Sequence, residues 1–129
     1  MSSAITISRE LAQLLELDGA NDVFISYHPI NNEVIIRCTD DEIRSFGVTK
    51  DENDQTIVFA VFRSDHDGIE EVRYNPASGV ATITYWEWDR EKHDSVRRVL
   101  SIPASGMTVN IIEDTNIFEI TIELAEKEG

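Results

Sequence analysis

The chain has 129 residues, with 25 Asp and Glu against 11 Lys and Arg, a formal net charge of −14. Such a surface repels phosphate backbones and anionic lipid and attracts basic partners, which disfavours direct binding to nucleic acid or membrane. Apolar residues make up 41 %, enough for a core, and no apolar run approaches the roughly 20 residues of a membrane-spanning helix.

Ala4 to Ile7 reads as an extended lead-in. Ser8 is a good N-cap, and Glu10 favours the first turn of a helix. Leu11, Leu14 and Leu15 make one apolar stripe, so the spacing predicts a helix over 9–17, stopped by Gly19. Asp22–His28 alternates as a strand, turns at Pro29–Asn32, and returns through Glu33–Thr39 with Val34, Ile36 and Cys38 on one face. Thr39-Asp40-Asp41-Glu42 has the capping-box pattern and predicts a short helix through Phe46, ended by Gly47. Residues 48–54 read as a polar loop. Gln55–Arg63 is apolar on both faces and belongs mid-sheet. Asp65–Gly68 is a turn. Ile69–Tyr74 is a charged strand placed near an edge. Asn75–Gly79 is a hairpin loop before Val80–Trp88. Asp89–Asp94 is a charged loop, followed by the strand Ser95–Ile102. Pro103–Gly106 predicts another turn. Met107–Ile112 and Ile117–Leu124 form a last hairpin. The final five residues read as frayed.

These elements predict an α+β fold that is mainly antiparallel β, with an N-terminal helix followed by a β-meander forming a sandwich or strongly curved sheet. Residues 1–129 read as a single domain, and the loop 48–54 is the one place for a subdivision. The lone Cys38 excludes an internal disulfide and fits a reducing compartment. Met-Ser-Ser-Ala lacks the pattern of a signal peptide. The expectation is a cytoplasmic protein, or one of a host cytoplasm if viral.

Residues 4–38 run Ala-Ile-Thr-Ile-Ser-Arg-Glu-Leu-Ala-Gln-Leu-Leu-Glu-Leu, then a strand to Tyr27, a turn, and Glu-Val-Ile-Ile-Arg-Cys. This order of strand, Glu-Leu helix and hairpin resembles the AbrB/SpoVT swapped-hairpin family of small DNA-binding regulators and antitoxins. The resemblance covers about a quarter of the chain. It implies a dimer and a basic DNA-facing surface near Arg9, Arg37 and Arg44. The family's preceding strand and basic loop are missing, Ser8 replaces its usual Pro, and the segment is acidic.

Catalytic, cofactor and metal motifs are lacking. His28, His66 and His93 show no ligand spacing. Asp65-His66-Asp67 fits a hairpin turn better than acid–base chemistry. Asp51-Glu52-Asn53-Asp54 lacks the spaced ligands of a calcium loop. Cys38 fits a small buried residue on an apolar strand. Tyr85-Trp86-Glu87-Trp88 places two indoles on one strand face, suited either to a core stripe or to an interface. The basic residues cluster once, at Arg90, Lys92, Arg97 and Arg98.

The reading that follows is a small acidic non-enzymatic binding protein of phage or mobile-element type. It would be an inhibitor or accessory factor for a basic, nucleic-acid-binding partner, with carboxylates standing where phosphates would. The expected contacts are Asp51, Glu52, Asp54, Asp65, Asp67, Glu70, Glu71 and Trp88. An AbrB/SpoVT-like regulator is one alternative. A structural or assembly subunit, such as a virion component, is another. A homodimer stays open.

Overall fold

The computed structural model describes residues 8–63 and 67–126. The expectations for Ala4–Ile7, Asp65, His66 and the last three residues lie outside that range.

Helix α1 (Arg9–Leu15) begins where the Ser8 hydroxyl oxygen accepts a hydrogen bond from the Leu11 N–H at 3.1 Å. That satisfies one of the donors a helix start leaves open. Leu11 and Leu14 are buried. The helix stops at Leu15 rather than at residue 17. Glu16 caps it, and the chain passes through left-handed Gly19 into a 3₁₀ turn at Ala20–Asp22.

Eight antiparallel strands follow: β1 (Phe24–His28), β2 (Glu33–Thr39), β3 (Ile43–Lys50), β4 (Thr56–Phe62), β5 (Gly68–Asn75), β6 (Val80–Asp89), β7 (Asp94–Ile111) and β8 (Ile117–Leu124). Their order in the sheet is β1-β2-β8-β7-β6-β5-β4-β3. Strands β3 to β8 are a consecutive meander, and β2 joins it by pairing with β8. Strand β7 serves both halves. Asp94–Pro103 pairs with β6, and Ala104–Ile111 pairs with β8. A register shift between Ala104 and Gly106 marks the change of partner, as bulges do where a strand bends. The sheet does not close, so β1 and β3 are edges. Its two halves share one core, in which Leu14 joins Val34, Ile36, Ile83, Phe118 and Ile120.

Four expectations are corrected. The capping-box pattern gives only a 3₁₀ turn at Asp40–Glu42. Thr39 makes no cap; its hydroxyl donates to the Asp41 carboxylate instead. Ile43–Lys50 then pairs with β4, because tertiary pairing outweighs a local helix signal. The loop expected over 48–54 shrinks accordingly, since Val48, Thr49 and Lys50 belong to β3. Pro103–Gly106 does not reverse the chain. Pro103 sits at the corner where β7 exchanges partners, a break in the ladder that tolerates proline. Finally, β5 is interior, between β4 and β6. Glu70 and Glu71 are balanced by arginines rather than by an edge position.

Candidate partner-binding notch

Strand β6 carries Trp86, Glu87 and Trp88 to the end where it meets Asp94 and Ser95 of β7. The C-terminal end of α1 comes up against the same end. Contact there depends on Gly68, whose φ of +134° suits glycine. The Asn21 side-chain amide donates to the Asp67 carbonyl, and a Cβ on Gly68 would strike that amide. Between these elements lies a notch of about 420 Å³, lined by Glu16, Leu17, Asp67, Tyr85, Glu87 and Trp88 among others.

Three carboxylates line it. The Asp67 carboxylate accepts from the Ser95 hydroxyl at 2.6 Å. Glu87 holds the Arg98 guanidinium, which also reaches Asp89 at 3.7 Å. Glu16 makes no side-chain hydrogen bond or ion pair among the described residues. It stands at a helix C-terminus, where the macrodipole disfavours an anion, with no basic residue in the last turn. Asp18 shares that handicap but is compensated, because it accepts from the Ile25 N–H at 2.7 Å. Burial raises the pKa of the Tyr85 hydroxyl, and the charge of Glu87 adds to that. Arg98 opposes the shift and Glu16 reinforces it. The Tyr85 hydroxyl therefore sits in the negative potential of two notch carboxylates.

The two indoles have different roles. Trp86 is half-buried, and its N–H donates to Glu70 at 3.2 Å. Trp88 is 54 % exposed, and its N–H has no partner among the described residues. An exposed indole beside carboxylates suits a cation, which gains both ion pairing and a π face.

Of the expected contacts, Asp67 and Trp88 come together here. Glu70 and Glu71 are engaged on the outer face, by Arg97 at 3.2 Å and Arg73 at 3.4 Å. Asp51, Glu52 and Asp54 lie at the far end of β4, roughly 20 Å away along the strand. There the Asp51 carboxylate accepts from the N–H groups of Asn53 and Gln55, at 2.9 and 3.0 Å, and Lys50 lies 3.4 Å from Asp54. Asp65 falls outside the described residues.

Glu16 and Glu87 were not singled out by sequence. Glu87 alternates away from the indoles, and only its place at a strand end brings it to the notch. Glu16 arrives by helix packing, and its one local sign is the unfavourable dipole.

Cys38 is buried, and its thiol is pushed up to about 12 by desolvation and by Glu42, Asp41 and Asp40. Arg37 pairs with Glu119 at 2.7 Å. Among the described residues no three His, Cys, Asp or Glu side chains gather as metal ligands. No described helix is long and apolar enough to cross a membrane. No family model, curated protein or solved structure matches the chain.

Proposed function

We propose that this chain is a small acidic binding protein, without catalytic activity of its own, that docks on the cationic groove of a nucleic-acid-binding protein. The observation that carries this reading is the notch, where Glu16, Asp67 and Glu87 stand beside the exposed Trp88. Arg98 provides an internal precedent, since the same corner already seats one guanidinium between Glu87 and Asp89. An arginine or lysine from a partner would approach the remaining carboxylates and the Trp88 face in the same way.

The wider charge supports it. Of the 23 acids among the described residues, six stand in ion pairs. The remaining field steers a basic partner over distance, and the notch fixes its register. Carboxylates then occupy positions that phosphates take in the partner's nucleic-acid complex.

The test uses the immobilised chain and heparin-retained lysate proteins at low salt. The expected result is a captured protein that short duplex DNA displaces. A triple variant, Glu16→Gln, Glu87→Gln and Trp88→Ala, should lose it. A captured protein that DNA leaves in place, or that the triple variant still holds, contradicts the reading.

A DNA-binding regulator is the second reading, favoured by α1 and its 3₁₀ turn being followed by the β1–β2 hairpin. The engagement of Arg37 by Glu119 and the net charge weigh against it. A mobility shift of duplex DNA by the chain alone at low salt would reverse that order.

A further inference from the structure

The two sheet edges differ. At β1 the Ile25 N–H is taken by the Asp18 carboxylate, and the Gly19 N–H donates to the Val23 carbonyl at 2.8 Å. The turn after α1 thus covers the start of that edge. Strand β3 pairs only with β4, and among the described residues no strand lies on its other side. An open edge of that kind is a template for another strand.

Its side chains strengthen the point. Phe46 and Val48 share one face of β3 and are 41 % and 68 % exposed, and Ile111 is 43 % exposed. Phe46 stands edge-on to the buried Phe118, with ring centroids 4.9 Å apart. A groove of about 270 Å³ opens there, lined by Ile43, Phe46, Ile111 and Phe118 among others.

Charge selects the occupant. Asp40, Asp41 and Glu42 immediately precede β3, and Asp51, Glu52 and Asp54 follow it. A second copy pairing edge to edge would set acids against acids in either orientation. A basic segment meets attraction at both ends. Arg44 and Lys50, exposed near the two ends of β3 itself, reduce that attraction, and Lys50 lies 3.4 Å from Asp54, but the six flanking acids outnumber them.

We propose that β3 docks an extended segment of the partner by strand addition. That segment carries apolar residues at alternate positions, facing Phe46, Val48 and Ile111. Lys or Arg at its two ends meets the two acidic clusters. The span from Glu42 to Asp51 is about 30 Å, which corresponds to about ten extended residues. Main-chain hydrogen bonds supply affinity and the alternate side chains supply selectivity. This rests on the reading of the chain as an acidic binder and names the partner chemistry it would recognise.

The probe is the peptide Lys-Lys-Val-Thr-Val-Thr-Val-Thr-Lys-Lys, titrated into the full chain at low salt and followed by amide NMR shifts. Shifts should centre on 43–50. Val48→Lys should weaken binding about tenfold or more, whereas Val99→Ala, at an exposed position of β7 away from both the edge and the notch, should leave it unchanged. N-methylating one alternate set of peptide amides should abolish binding, and methylating the other set should not. Binding indifferent to Val48→Lys and to methylation overturns strand addition while leaving acidic docking intact. Binding lost with Trp88→Ala assigns the peptide to the notch and also overturns it. No binding to a chain whose notch still binds hexa-arginine overturns the edge alone, and failure of both probes overturns both proposals. A dimer of the free chain that Val48→Lys dissociates would put a second copy on the edge and overturn it too.

Discussion

At Gly68 the backbone lies at φ +134° and the Asn21 amide leaves no room for a Cβ. Gly68→Ala should therefore cost about 1–3 kcal/mol, seen as a lower urea midpoint. An unchanged midpoint would show that Asn21 moves aside freely. Glu16 should behave in the opposite way. Replacing it by Gln removes an anion from a helix C-terminus and should leave stability unchanged or raise it by about 0.3–1 kcal/mol. The same change should weaken binding of a cationic probe, and a loss of stability without a loss of binding would assign Glu16 to the fold instead. Cys38 supplies a pH test. Its thiol rises from the ordinary 9.0 to about 12 in the fold. The native state therefore keeps its proton where the unfolded chain loses it, and stability falls as pH rises from about 9 to about 12. Cys38→Ala should remove that part of the slope when urea midpoints are compared at about pH 8 and about pH 11. A slope identical in both proteins would exclude the thiol as its source. The burial of Cys38 was readable from its alternation with Val34 and Ile36. The exposure of Trp88 was not, because period-two patterning assigns a face without saying where along the strand the core ends.

Strands with clean alternation were legible: β2, β6 and β8 lie where their sequences place them. Strand β3 was hidden because Thr39–Glu42 carries a local helix-start pattern, and because its own residues alternate poorly around Gly47. Only pairing with β4 reveals it. Strand β7 was cut in two because Pro103 and Gly106 are turn residues wherever a chain reverses, whereas here they bend a continuous strand. The expected number of strands agrees with the structure only because one missed strand balances one divided strand. Helix α1 links fold to site, since Leu14 is buried in the core while Glu16 faces the notch. Leu14→Ala should cost about 2–5 kcal/mol. Under conditions where the variant is still folded, it should also weaken the cationic probe, as Glu16 loses its fixed position. Full probe affinity in a destabilised but folded variant would show that helix placement does not shape the site.

At the scale of the molecule, mutual repulsion of the acids opposes the compact state, and a net charge of −14 is large for 129 residues. The excess charge was legible from composition alone, and the antiparallel class from strand spacing. The site was not, because it is assembled from α1, β5 and β6, which are distant in sequence and meet only in the folded chain. The expected acid surface resolves into a notch at one end of the sheet and two acidic clusters beside β3. The most direct test is an NMR titration of the full chain with hexa-arginine at low salt. The expected shifts gather at Glu16, Asp67, Glu87 and the Trp88 indole, and fade as salt is added. Shifts spread evenly over every acidic loop, or absent at the Trp88 indole, would contradict a built cation-binding site.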